Sequence, residues 1–376
     1  MKIINISTHI KAYILFFVVF VFLLANNSFA QKKAKKKSNN WRISVGLSST
    51  YDNNILKYSD KYLDRFMNHE DEGRFHINTY DDLVLNPTIN TSYTFKVFKK
   101  LKSKIYLNLS SKIYTVNSIK NFNLASIAFR QDLSKKSNFK IGYSYIPYFY
   151  IRHFRDDDWV DAFGYTEETF KPMGFAKDNY TFEIQNTFFK KTNVKYYMAY
   201  MKYYYNMHYA EYNSNNMLYG IKVIQPLNKK IKLTLAYEYI TSDAQGYDEL
   251  DETKETSDDS DGTYVSDVLG VGLNWKLPKL KKRSNSLNIN SKFYKQYFSS
   301  MHFVENDPTH AGRVDKNFRV YSTYKISLTK KIGLSIFYNY LFRKTISVSE
   351  YNMQYLSDEK DYSQSQVGMK ITYRLW

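Results

Sequence analysis

The 376-residue sequence contains no cysteine. A disulfide framework, a thiolate metal site and a cysteine nucleophile are all excluded by that absence. Proline and glycine are sparse, at 6 and 13 residues, which removes the collagen-like and low-complexity classes. Long apolar runs are missing too. The longest continuous one, residues 12–25, falls short of the ~18–20 residues a membrane-spanning helix requires. Negative charge is the minority sign: 36 Asp+Glu stand against 54 Lys+Arg, for a formal net charge of +18.

What is present begins with targeting. Lys2 and Lys11 precede or open the apolar run, and Ser28-Phe29-Ala30 follows it just before Gln31. That pattern reads as a secretory signal peptide over residues 1–30 with a small-x-small cleavage site. With no cysteine after the cleavage site, a lipoprotein is not expected. A secreted chain seldom meets nucleic acid, so the basic excess does not make nucleic acid an expected partner. Residues 31–40 form a lysine-rich tail, and residues 41–376 are read as one domain. Aromatic residues make up 18% of the chain, with 37 Tyr and 26 Phe, far too many for disorder. Mean hydropathy is −0.53. Transmembrane strands are compatible with such a value, because every second residue faces a polar lumen.

Alternation is the strongest signal. In residues 365–375, Val367, Met369, Ile371, Tyr373 and Leu375 share one face of an extended strand, and Gln366, Gly368, Lys370, Thr372 and Arg374 share the other. Trp41, Ile43, Val45 and Leu47 alternate in the same way near the other end. Between them the chain runs strand, short lysine-rich turn, strand six times. The turns centre on Lys99-Lys100, Lys135-Lys136, Lys190-Lys191, Lys229-Lys230, Lys281-Lys282 and Lys330-Lys331. Their unequal spacing argues against a solenoid of fixed period. Six hairpins plus a first and a last strand predict 14 strands. Longer connections at 52–81, 117–121, 152–172, 207–215, 243–263, 299–313 and 345–360 belong to the opposite end. Several are acidic: residues 243–263 hold nine carboxylates and one lysine.

An alternating strand that ends the chain on Trp376 resembles the closing strand of a Gram-negative outer-membrane β-barrel. The stretch Leu47-Ser-Ser-Thr-Tyr-Asp-Asn-Asn-Ile55 is similar to the end of strand one in putative β-barrel porins. The resemblance implies an all-β, closed antiparallel barrel in the outer membrane, with both termini and the short turns periplasmic. It also implies recognition by the barrel-assembly machinery through Tyr373, Leu375 and Trp376. The apolar positions here run one residue out of phase with Trp376, a departure from the family pattern.

If the apolar face meets lipid, the polar face lines a lumen. Its basic members include Lys112, Lys232, Lys276, Lys292, Arg319, Lys325, Arg343, Lys370 and Arg374, against Asp132, Glu183 and Glu238. Five of these, Lys232, Lys276, Arg319, Lys325 and Arg343, form the expected lumen-lining basic set. Rings of positive charge in a narrow aqueous path favour anions. The function expected is a porin-like passive channel for small anionic solutes. The alternative is a plugged barrel whose acidic outer loops engage a surface partner.

Catalysis is not expected. The histidines after the signal peptide, at 69, 76, 153, 208, 302 and 310, fall in or beside predicted outer loops, and no Gly-x-Ser-x-Gly elbow occurs. His153 beside Asp156-Asp157-Asp158 is the one His/Asp cluster. Residues 257–262 resemble part of a calcium loop through Asp259, Asp261 and Gly262. Ser257 and Val268 occupy ligand positions that the motif fills with acids, so neither a metal nor another cofactor is expected.

Overall fold

A computed structural model describes residues 40–71, 73–97 and 101–375. The expected signal peptide, most of the basic tail, the Lys99-Lys100 turn and Trp376 lie outside the described residues. The chain forms fourteen strands: β1 Trp41–Asp52, β2 Asp82–Phe95, β3 Ser103–Tyr114, β4 Phe122–Asp132, β5 Ser137–Arg155, β6 Phe170–Phe188, β7 Thr192–Tyr205, β8 Ser214–Pro226, β9 Ile231–Ala244, β10 Tyr264–Lys276, β11 Asn285–Phe298, β12 Arg313–Ser327, β13 Ile332–Ser347 and β14 Tyr362–Arg374. Each pairs antiparallel with its sequence neighbours, and β14 returns to β1, so the sheet is a closed barrel. The closing register runs from Ser44 opposite Arg374 to Asp52 opposite Gln366. Closure leaves no unpaired edge, the condition a sheet must meet in lipid.

The strand count and the even/odd assignment expected from alternation are both observed. Leu235, Leu269, Val271, Ile336, Met369 and Ile371 stand exposed on the outer surface, each roughly half accessible or more. Their neighbours Thr88, Ser92, Thr323 and Asn339 point inward and are nearly inaccessible. Prolines fall where the ladder breaks. The β2–β3 pairing skips across Pro87, which has no N–H to donate, and β5 carries a register shift between Ile146 and Phe149 that brackets Pro147. Inside the wall Gly220 has a particular task. A Cβ there would fall 2.3 Å from the Tyr197 ring, so only glycine lets that ring lie flat against β8.

The two ends differ. Short connections such as 133–136, 227–230 and 328–331 close one end, and residues 40 and 375 lie there as well. Seven longer connections occupy the other. They carry three helices, α1 Asp60–Met67, α2 Asp157–Phe163 and α3 Glu350–Lys360.

The connection 52–81, expected as an outer loop, is in part folded inward. Ile55, Leu56, Tyr58, Tyr62 and Ile77 pack against Val84, Tyr114 and Tyr150 in one buried cluster. The cause is compositional: this loop carries more apolar surface than water tolerates, and the barrel interior is the nearest place to bury it.

Candidate lumen site

The way residues 53–81 enter the barrel is set by hydrogen bonds at its neck. Asp52, nearly inaccessible, accepts from the Gln364 and Gln366 side-chain amides (2.6–2.9 Å) and from the Asn54 backbone N–H (3.1 Å). Asn54 in turn donates to the Tyr58 carbonyl and accepts from the Tyr58 N–H, both at 2.8 Å, closing a tight turn. Lys57 stands at its tip in the left-handed region (φ +55°). From β5 Arg152 donates to the Leu56 and Lys57 carbonyls at 2.7 and 3.2 Å, and its guanidinium lies over the Tyr58 ring at 4.6 Å. α1 is then tied to α3: Lys61 Nζ is 2.5 Å from Glu359, and the Tyr62 hydroxyl donates to the same carboxylate.

Two cavities lie within the barrel. The first, about 1080 Å³, occupies the short-turn half and is lined by polar wall residues of β1–β3 and β10–β14. Its cations include Lys112, Lys276, Arg319, Lys325, Lys370 and Arg374, and Asp52 is its one carboxylate. The second, about 700 Å³, lies among the long connections. It sets Arg152, Arg155, Arg313, Arg343 and Lys360 against Asp156, Glu211, Asp248, Asp258 and Asp259.

Lys57 lines neither cavity but feels charges from both, Arg319 and Asp52 of the first and Arg343 and Arg152 of the second. Enclosure deep within the barrel, then the like charges of Arg343 and Arg319, pulls its amine down to about 8. Its side chain is nevertheless accessible to water. Two further loop lysines feel the same field. Burial, with Lys57 and Arg152 as like-charged neighbours, pulls Lys120 down to about 7, and its Nζ donates to the Tyr150 carbonyl at 2.7 Å. Burial, with Arg313 and Arg343 nearby, pulls Lys360 down to about 7.

The expected basic set is only partly assembled. Lys276, Arg319 and Lys325 share the first cavity. Arg343 lines the second, donating to the Lys360 carbonyl at 2.7 Å and lying 3.6 Å from Asp315. Lys232 is on the inward face of β9 but at its rim, opposite Pro226 and Asn274. The three expected lumen acids are each paired. Asp132 meets Arg130 (2.9 Å), Glu183 meets Lys195 (2.7 Å), and Glu238 meets Lys292 (2.8 Å) and the Tyr197 hydroxyl (2.7 Å). Tyr373 sits opposite Val45 and Ile332 in the closing strand, and the Leu375 N–H donates to the Ile43 carbonyl.

Sequence reading missed Lys57, Lys120, Arg152 and Lys360, because it placed them in or beside outward loops. One signal was available. Tyr58, Tyr62 and Phe66 recur every four residues, an apolar stripe that a solvated loop has no reason to carry.

The expected His153 cluster is arranged differently among the described residues. His153 stacks on His76 (3.6 Å between centroids) and bonds the Tyr150 hydroxyl, so Asp156 pairs with His208 instead, at 2.6 Å. Hydrogen bonds from His310 and Ser300 outweigh burial and hold Asp307 down at about 2. The calcium-loop pattern is likewise unformed. Asp261 accepts from the Thr263 and Met301 N–H groups, while Asp259 turns toward Asp248 and Glu252.

No protein-family profile matches this chain, and no curated protein is similar to it in sequence. Solved structures resemble it in architecture. A bacterial polysaccharide outer membrane secretin is 8% identical, with 90% of this chain and 99% of that one covered and a TM-score of 0.45. The outer membrane channel DcaP of Acinetobacter baumannii is 11% identical over 92% of this chain and 100% of that one, at 0.43. An anion-selective porin from Comamonas acidovorans is 10% identical over 89% and 98%, at 0.42. The structures it resembles are outer-membrane proteins, and this chain is a closed fourteen-stranded barrel.

Proposed function

We propose that the chain is a porin-like outer-membrane barrel, with short turns and termini periplasmic, that passes small anionic solutes through a lumen narrowed by residues 53–81. Assembly would use the closing strand, through Tyr373 and Leu375 together with Trp376. The observation that carries the reading is Lys57. A loop folded into a barrel places a water-accessible amine among Arg152, Arg319 and Arg343, where carboxylates are few. Screening acts over ~8–10 Å at physiological salt, so fixed charge governs permeation only at a constriction of that width. Folding residues 53–81 inward is a means of reaching it.

The test is the reversal potential across a salt gradient in planar bilayers. Native protein should prefer anions, and Arg319→Glu with Lys325→Glu should weaken or invert the preference. Cation preference in the native protein would overturn the reading.

The buried cluster around Tyr58 favours a second reading, a barrel plugged by this same loop. Absence of native conductance, restored when the loop is removed, would select it.

A further inference from the structure

The short-turn end carries a second concentration of positive charge, away from the inserted loop. Between the β10–β11 and β12–β13 turns lies a groove of about 530 Å³. Six cations line it: Lys279, Lys282, Arg283, Lys330, Lys331 and Arg374. No carboxylate does, and among the described residues none of the six enters an ion pair. All six are exposed. Lys279 and Arg374 also line the first cavity, as do Ser284, Ser327 and Gly333, so groove and cavity adjoin.

Charged turn residues discourage edge pairing between chains, and a lysine pair in each turn suffices for that. That role does not require Lys279, Arg283 and Arg374 to converge on one groove. Nor does it require the backbone found here. Lys281 and Lys282 both take positive φ, 46° and 67°, between Leu280 and Arg283, whose N–H groups donate to each other's carbonyls at 3.1 and 2.8 Å. Two such residues in a row make a type I′ turn, which favours asparagine and glycine over lysine. Unfavourable backbone kept at a charged tip points to use of the tip as well as connection.

The groove is also held before any ligand arrives. The Ser284 hydroxyl donates to that of Ser327 at 3.1 Å, and the Ser327 N–H donates to the Ser284 carbonyl at 3.0 Å, tying one hairpin to the next. The Thr329 hydroxyl accepts from the Lys331 and Ile332 N–H groups at 3.1 and 2.9 Å, which fixes how Lys330 and Lys331 are presented. Lys331 lies over the Tyr373 ring at 5.9 Å, a contact that leaves its charge uncancelled.

We infer that this groove binds a compact, multiply charged anion of the diphosphate type. Six fixed cations with no acid among them repel one another, and an anion placed between them relieves that repulsion. A single carboxylate carries too little charge to do so. Diphosphate oxygens suit both kinds of donor: the guanidinium forks of Arg283 and Arg374 can each take two oxygens, and the lysines act as point charges. The assignment depends neither on the orientation of the barrel nor on whether it conducts.

The experiment uses the full mature chain refolded in detergent micelles and titrated with sodium pyrophosphate by calorimetry at about 0.15 M salt, where diffuse surface attraction is screened. Native protein should bind one pyrophosphate per chain, and acetate far more weakly. Lys282→Gln with Lys330→Gln should weaken pyrophosphate binding about tenfold or more. Lys135→Gln with Lys136→Gln removes the lysine pair of the β4–β5 turn instead and should leave binding unchanged. These side chains are exposed, so each variant should keep its heat-modifiable gel mobility. No binding by native protein at millimolar pyrophosphate overturns the site. Equal weakening by the two double variants overturns it as well, since any basic turn would then serve. Acetate binding as tight as that of pyrophosphate overturns the choice of a multiply charged ligand. Phosphatidylglycerol added to the micelle should not displace pyrophosphate; displacement would give the groove to a lipid headgroup and overturn the choice of a soluble anion.

Discussion

The two halves of this barrel have the same wall and different contents. In the short-turn half, β1–β3 and β10–β14 present serine, threonine, asparagine and lysine to an open cavity of about 1080 Å³. In the long-loop half, β2, β3 and β5 meet Leu56, Tyr58 and Tyr62 in a hydrophobic cluster, and a smaller cavity of about 700 Å³ remains among the connections. Alternation specifies the wall in both. What fills the interior is decided by the connections, and those follow burial rather than strand periodicity. The loop folded against that wall is where the proposed constriction lies.

That division predicts its largest effect on removal of the loop. Asp52 of β1 is directly opposite Asp82 of β2, so a short Gly-Ser turn can replace residues 55–79 without disturbing the register. Folding, read as heat-modifiable mobility, should persist, and single-channel conductance should rise several-fold. Loss of the folded form would show that the inserted loop is part of the scaffold, and the comparison would fail.

A smaller effect tests the wall. Leu235→Arg or Ile336→Arg puts a charge on the outer face at mid-strand and should cost about 2–4 kcal/mol in unfolding from lipid vesicles. Thr234→Arg or Ser335→Arg, one residue away and inward, should cost far less. Equal losses would mean that inside and outside are misassigned in that strand.

The wall was legible from sequence because its signal is local. Val367 to Tyr373 alternate within seven residues, and paired lysines mark the turns. The prolines at 87 and 147 disturbed the ladder without hiding the strands around them. The lumen charges were legible only in part. Alternation put Lys276, Arg319 and Lys325 inward but could not say that Lys232 stands at the rim, since parity carries no depth. Lys57 and Arg152 were beyond its reach. They meet through the Leu56 and Lys57 carbonyls although they stand 95 positions apart, and nothing local in either segment encodes that contact. The acidic connection shows the same limit: no spacing in the sequence says that the carboxylates of Asp248, Glu252 and Asp259 come within 4.8 Å of one another.

The smallest expected effect is on pH, and it separates the inserted loop from the wall most finely. Lys57 is drawn down to about 8, and Lys120 and Lys360 to about 7, chiefly by enclosure. An unfolded lysine titrates near 10.4. Between about pH 7 and 10 the folded protein therefore binds fewer protons at these sites than the unfolded chain does. Stability rises with pH wherever the unfolded state binds more protons, so the packing of residues 53–81 should tighten as pH rises through this window. Selectivity should move the other way: each amine that loses its charge weakens the anion preference, most steeply between pH 7 and 8. The arginines at 152, 319 and 343 are the other cations beside Lys57 and set a floor. Reversal potentials from pH 6 to 9 should thus show a partial decline, and Lys57→Met should remove its upper portion. A flat profile in the native protein, or one that Lys57→Met leaves unchanged, would place the selective charges on the wall instead of on the loop.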